Sequence, residues 1–169
     1  MSKILRIIGL LAASMFVVGS AQALDIVRMD YHDVDHWVGM PARELRATLA
    51  DKTIHIDVTS RAVGSLRPLL GTGALILYTA PGGQLLWWTS KHDTIQTGRW
   101  TSTTLTEGWE LPCFQFDAAN GRSDCYFGGA ANYKEWTAGN PFALRASAPP
   151  QVPMSSRSSL ADLARKAGL

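Results

Sequence analysis

The chain has 169 residues, of which 16 are Lys or Arg and 14 are Asp or Glu, so its formal net charge is +2. Two of the basic residues lie among the first 23 positions, which hold no acidic residue, and the remainder of the chain is electrically balanced. This balance argues against a nucleic-acid-binding protein, because such domains carry a clear excess of Lys and Arg. The length suits one domain with its own hydrophobic core.

Residues 1–23 have the three parts of an export signal. Lys3 and Arg6 give a positive start, residues 7–18 form an uncharged apolar run, and Ala21-Gln22-Ala23 matches the small-x-small pattern of a signal-peptidase site. The apolar run is shorter than the roughly 20 residues that a membrane span needs. We therefore expect a signal peptide over 1–23 and a mature protein in the periplasm or outside the cell, with no membrane span after cleavage.

One short helix precedes the first strand of the mature chain. Residues 41–50 place Leu45 and Leu49 four positions apart, as on one face of a helix, and Pro41 stands where a first helical turn tolerates proline. Over residues 53–59, apolar and polar side chains alternate. This period of two predicts a strand with one buried face and one face in water.

Further short β-rich segments follow, with turn residues between them. Residues 74–79 and 84–89 flank Ala80-Pro81-Gly82-Gly83 and predict a hairpin. The other predicted strands cover residues 95–105, 111–116, 125–127 and 133–136. The series predicts a mainly β fold, a small antiparallel β-barrel or sandwich with one short N-terminal helix and a short C-terminal helix.

The two cysteines, Cys113 and Cys125, are predicted to form a disulfide, because thiols pair in an oxidising compartment. A redox dithiol needs C-x-x-C, and a zinc site needs closer spacing and two more ligands. A two-residue turn at Asn120-Gly121 would place Cys113 opposite Gly128. A disulfide between facing strands instead needs Cys113 opposite Cys125, which predicts a longer loop and fixes the register of this hairpin.

The composition changes after residue 145. Residues 146–158 are rich in Pro and Ser and lack an apolar period, which predicts a flexible linker. Residues 159–169 predict a short amphipathic helix that Ser159 and Asp162 cap at its start. The mature chain is thus divided into a disulfide-containing β-domain over 24–145, this linker and this helix.

Potential metal ligands are densest in His32-Asp33-Val34-Asp35-His36. On a helix, His32 and His36 share a face at the spacing that lets two imidazoles reach one metal ion. An exposed polar segment has the same residues, and the sequence marks no third ligand, so metal binding is a secondary hypothesis. We assign no catalytic residue and no cofactor. His55 and Asp57 lie two positions apart on the polar face of the strand predicted over residues 53–59, and a face in contact with water explains both residues.

Several tryptophans are candidates for a ligand site. Trp87 and Trp88 are adjacent, so on a strand they point to opposite faces. Exposed Trp rings offer a large flat area to sugars and lipid-like ligands. Trp88, Trp109 and Trp136 are therefore the candidate ligand-binding residues. The alternative is that these rings fill the core or cover one end of a barrel.

Short motifs are spread over residues 45–126. They are Leu49-Ala50-Asp51-Lys52-Thr53-Ile54, the turn from Tyr78 to Gly83, Gly98-Arg99-Trp100, Cys113-Phe114 and Cys125-Tyr126. On these residues the chain resembles a family of small exported alphaproteobacterial β-domains of unassigned function. It departs from the family pattern in the long spacer over 101–112 and in the Pro/Ser-rich tail. The resemblance implies a compact β-domain with a disulfide, and it supplies neither an activity nor a catalytic residue.

These observations together predict an exported, non-enzymatic module that binds a small ligand or a partner protein on a β-surface. Two alternatives remain open. In one, the protein is an accessory subunit that docks on a larger envelope complex through its C-terminal helix. In the other, it is a metal-binding protein that uses His32 and His36.

Overall fold

The structure is a computed structural model that describes residues 23–30, 40–58, 66–104, 110–120, 122–125 and 132–169. Its strands are β1 (Val27–Arg28), β2 (Lys52–Val58), β3 (Gly73–Thr79), β4 (Gln84–Thr89), β5 (Gln96–Thr104), β6 (Glu110–Phe116), β7 (Arg122–Cys125) and β8 (Tyr133–Ala138). Its helices are α1 (Ala42–Leu49), α2 (Arg67–Leu70) and α3 (Leu160–Ala167).

The strands form one sheet in the order β1-β8-β2-β3-β4-β5-β6-β7, and all neighbours are antiparallel. The sheet curls into a half-barrel. This arrangement confirms the predicted mainly β class with one short helix near the N-terminus and another at the C-terminus. Two elements were not predicted, the two-residue strand β1 and the four-residue helix α2.

Each face of the sheet carries its own apolar cluster. On the first face, α1 buries Leu45 and Leu49 against a core that includes Trp87 and Phe114. On the second face, Trp88 packs in a separate cluster formed with the C-terminal part of the chain. The adjacent tryptophans therefore point to opposite faces, as the sequence predicts, and Trp88 belongs to a second buried layer.

Strand β2 is buried on both faces, and the prediction that its polar face lies in water was wrong. Thr53 is fully buried and His55 is only 8% exposed. Thr53 Oγ1 donates a hydrogen bond to the carbonyl oxygen of Gly139, and His55 lies beside Glu135. Apolar and polar side chains do alternate along β2, but the chain that follows β8 covers the polar side chains and excludes water from them.

Residues 146–158 lie against the sheet, in contrast to the flexible linker that their composition predicts. Ile95 exchanges backbone hydrogen bonds with residues 147 and 148, and the amide of Ala74 donates to the carbonyl oxygen of Ser156 at 2.8 Å. Val152 is 6% exposed. Gly73 has a φ of +97°, and a Cβ at this position would lie 2.2 Å from the Ser156 carbonyl oxygen. The two backbones can approach this closely because glycine has no side chain.

Helix α3 has the ends that the sequence predicts. Ser159 and Asp162 form a reciprocal capping box, and Gly168 ends the helix in the left-handed conformation. Leu160, Leu163 and Ala164 pack into the apolar cluster on the second face of the sheet. The apolar face of this helix is therefore covered by its own domain.

Cys113 and Cys125 form the predicted disulfide. They lie directly opposite each other in the β6–β7 ladder, whose register follows the pairing that the disulfide predicts. The loop between the strands begins with a 3₁₀ turn over Asp117–Ala119, and Asn120 follows in the left-handed conformation. The loop is thus longer than a two-residue turn, as predicted.

Removal of the disulfide should lower the free energy of unfolding by about 3 kcal/mol, because it frees a 12-residue loop in the unfolded chain. Urea denaturation of the double variant Cys113→Ser/Cys125→Ser, followed by Trp fluorescence, measures this loss. The wild type in reductant is the control and should lose the same amount. An unchanged unfolding midpoint in both samples would contradict the prediction.

Truncation of Leu163 should destabilise the whole domain, because its side chain is fully buried against the sheet. We expect Leu163→Ala to cost about 3 kcal/mol in thermal or urea unfolding. Leu169→Ala is the matched control, since Leu169 is 40% exposed and should cost less than about 0.5 kcal/mol. Equal, small losses in the two variants would show that α3 does not pack on the sheet.

Candidate functional site

An apolar pocket of about 230 Å³ opens between α1 and the edge of the sheet formed by β1, β8 and β2. We call it the edge pocket. It is lined by Val27, Met29, Thr48, Leu49, Lys52, Ile54 and Trp136. Five of these side chains are apolar, one carries a hydroxyl group and one carries an ammonium group.

Strand pairing explains why distant residues meet in the edge pocket. Trp136 of β8 lies opposite Val27 of β1 on one side and opposite Ile54 of β2 on the other. Directly paired residues in a sheet share a face, so these three side chains form one row. Leu49, at the end of α1, also lines the pocket.

The edge pocket has an apolar wall and a polar rim. Val27 is 37% exposed and Trp136 is half-buried, so these two side chains form the accessible apolar wall, whereas Leu49 and Ile54 are each only 1% exposed and lie behind it. At the rim, Lys52 Nζ lies 4.7 Å from the centre of the Trp136 ring, within the range of a cation–π contact. An apolar group can therefore pack against this wall while a polar group stays beside Lys52.

The edge pocket also holds one hydroxyl group with a weak partner. Thr48 Oγ1 donates to the sulfur of Met40 at 3.6 Å. A thioether is a weak acceptor, and a threonine hydroxyl can rotate toward a better one. Thr48 can thus form a hydrogen bond with a polar group near the rim.

A polar cluster lies on the opposite face of the same two strands. His55 Nδ1 is 3.4 Å from Glu135 Oε2, and these residues are paired across β2 and β8. The same carboxylate oxygen accepts a hydrogen bond of 2.6 Å from the backbone amide of Leu160, the first residue of α3. We call this cluster the tail clamp, because it ties two strands to the C-terminal helix.

Burial is the largest influence on the pKa of the His55 imidazole and lowers it from the ordinary value of 6.5. The carboxylates of Glu135 and Asp57 act in the opposite direction, and the ammonium group of Lys134 lowers it further. His55 is therefore neutral at pH 7. A neutral imidazole that holds its proton on Nδ1 donates to the Glu135 carboxylate, which can only accept.

A second pocket of about 290 Å³ adjoins the tail clamp and is lined by His55, Asp57, Lys134, Ser156, Arg157 and Ser158. His55 and Asp57 are therefore close in space, as their positions on one strand predict. The partner within hydrogen-bond distance of the His55 imidazole, however, is Glu135. Because that carboxylate also holds an amide of α3, the arrangement has an evident structural role.

The structure describes two of the three candidate tryptophans and places them in different environments. Trp136 lines the edge pocket. Trp88 is only 2% exposed and is enclosed in the second apolar cluster, so its ring offers no free face to a ligand. Trp109 lies outside the described residues, as do His32 and His36. Within the described part of the chain, no group of three or more His, Cys, Asp or Glu residues could hold a metal ion.

Most residues of the edge pocket could not be recognised from the sequence as a site. Leu49 and Ile54 are predicted as core residues, and Val27 lies in a strand too short to show a period. Lys52 stands at the start of β2, where a solvent-facing lysine is the ordinary expectation. Only strand pairing across 80 residues or more places Trp136 among them.

Comparisons with known protein families, with curated proteins and with solved structures found no match. Among the described helices, none has the length and the apolar run that crossing a membrane requires. The geometry of the edge pocket and the sequence features are therefore the basis for a functional proposal.

The stability of the protein should fall as the pH drops below about 6.5. The unfolded chain protonates His55 at its ordinary pKa, whereas burial lowers that pKa in the folded state, so protons favour the unfolded chain until the folded imidazole also titrates. Urea unfolding at pH 7.5 and pH 5.5 measures this loss. His55→Asn, which keeps an N–H donor without the titration, should reduce it. The same loss in His55→Asn as in the wild type would contradict this role.

Proposed function

We propose that the protein is an exported, non-enzymatic binding module that holds a small, largely apolar ligand in the edge pocket. The observation that carries this proposal is the composition of the pocket lining, five apolar side chains of which Val27 and Trp136 are accessible to a ligand. Binding sites for small molecules are commonly concave and apolar, with a few polar groups that fix orientation. The edge pocket has this character.

The volume of the edge pocket supports a small ligand. Typical small-molecule sites enclose about 300–1,000 Å³, and the edge pocket encloses about 230 Å³. A dry apolar cavity of about 150 Å³ is sufficient to bind benzene. The pocket therefore suits one aromatic ring or one short alkyl chain rather than a polysaccharide or a long lipid.

The periplasmic or extracellular location is part of this proposal. The first 23 residues have the composition of an export signal, and a disulfide joins Cys113 to Cys125. Disulfides persist in oxidising compartments, so the cross-link supports export. Membership in the exported family that the sequence motifs resemble would agree with both features.

Trp136 also favours ligand binding at this position. Its ring lines the pocket and is neither fully buried nor fully exposed, and it already makes a contact with the Lys52 ammonium group. Aromatic rings offer a large contact area at low cost in side-chain entropy. Of the two candidate tryptophans that the structure describes, Trp136 is the one with this environment.

The alternative in which α3 docks on an envelope complex has less support. Leu160 and Leu163 are fully buried against the protein's own sheet. A partner could reach only the exposed side chains of the helix, among them Arg165 and Lys166, unless α3 first left the sheet. The metal-binding alternative depends on His32 and His36 and is decided by metal analysis of the purified protein.

Filling the mouth of the edge pocket should abolish ligand binding. We expect Val27→Phe to weaken binding of 1-octanol or octanoate at least about tenfold, because the larger ring takes up space at an exposed rim position where folding tolerates it. Isothermal titration calorimetry measures the affinity, with Val27→Thr as the control that preserves the volume. In a parallel fluorescence titration, Trp136→Phe should lose most of the change in tryptophan emission that ligand binding produces. Absence of binding by both probes in the wild type would contradict the proposed function.

A further inference from the structure

We infer that the edge pocket selects small monocarboxylates, with Lys52 and Thr48 as the residues that hold the carboxylate. This inference rests on the proposed function, because it names the ligand class for the same pocket. The ligand carries one aromatic ring or a short alkyl chain, which packs against the accessible apolar wall formed by Val27 and Trp136.

The charge of the rim is the first argument. Among the described residues that line the edge pocket, Lys52 is the only charged one. Neither of the ion pairs His55–Glu135 and Arg165–Asp162 involves Lys52, and no described carboxylate pairs with it. Its described contact is the face of the Trp136 ring. A carboxylate is a stronger partner for an ammonium group, because charge-assisted hydrogen bonds are roughly twice as strong as neutral ones.

The position of Thr48 is the second argument. Its hydroxyl group lines the same pocket and donates to the sulfur of Met40, which is a weak acceptor. A carboxylate oxygen beside the hydroxyl would give it a much better acceptor. The pocket therefore offers one ammonium group and one hydroxyl group that both gain from an anion, and none of its described lining residues is acidic.

The arrangement of apolar and polar groups is the third argument. Val27 and Trp136 form the accessible apolar wall, and Lys52, which is half-buried at the start of β2, lies beside the Trp136 ring. A ligand with one charged end and one apolar end matches this order. A neutral hydrocarbon would leave the ammonium group without an anion, and a sugar would place hydroxyl groups against the apolar wall without partners.

Three probes with the same number of carbon atoms distinguish the contribution of head-group charge to the affinity from the contribution of the alkyl chain. They are octanoate, 1-octanol and octylammonium, and isothermal titration calorimetry gives their affinities at pH 7.5. We expect octanoate to bind the wild type about tenfold more tightly than 1-octanol, and octylammonium to bind most weakly. Lys52→Met should remove the preference, so that octanoate binds this variant within about twofold of 1-octanol.

Lys166→Met is the matched control, because it makes the same substitution at an exposed lysine of α3. It should retain the full preference for octanoate. Lys52→Arg should also retain most of the preference, because it keeps the positive charge. Should Lys52→Met fail to fold, the salt dependence of the wild type replaces it: the preference for octanoate should shrink as the NaCl concentration rises to 1 M.

The outcomes distinguish this inference from the proposed function. Equal affinities for octanoate and 1-octanol in the wild type would overturn the assignment of Lys52 and leave the proposed function intact. A preference for octanoate that persists in Lys52→Met would place the carboxylate elsewhere and also overturn it. Failure of all three probes to bind would overturn the proposed function itself.

Discussion

The central strands of this protein are apolar on both faces, and this constraint organises the rest of the structure. Leu77 pairs with Trp87 in the first cluster, whereas the neighbouring residues Ile76 and Trp88 pair in the second. A single curled sheet cannot bury two faces against itself, so each face needs a cover. Helix α1 covers the first face, and the C-terminal chain with α3 covers the second.

Strands β2 and β8 contribute residues to two sites, one on each face of the sheet. Successive residues of a strand point to opposite faces. Ile54 and Trp136 therefore line the edge pocket, while the adjacent His55 and Glu135 form the tail clamp. A buried carboxylate needs hydrogen-bond donors, and Glu135 has them from an imidazole and from the first amide of α3. The segment after β8 is held in place by this contact as well as by apolar packing.

Features that depend on residues close together in the chain were predicted correctly from the sequence. The four-residue spacing in α1, the turn residues between β3 and β4, and the capping pair of α3 each act within one turn of chain. The disulfide was also predictable in register, since Cys113 and Cys125 must face each other. The burial of the polar face of β2 and the path of residues 146–158 were not predictable. Alternating apolar and polar residues show that a strand has two different faces, but they do not show what covers each face.

The sequence by itself determined the class of fold, the pairing of the cysteines and the opposite directions of Trp87 and Trp88, because periodicity and covalent geometry act between near neighbours. The tertiary structure alone decided which of the candidate tryptophans lines a pocket. It brought Val27 and Trp136 together across more than 100 residues and placed Lys52 over the same ring. The physical reason is that an edge pocket belongs to no single strand: it exists only where paired strands and a covering helix meet.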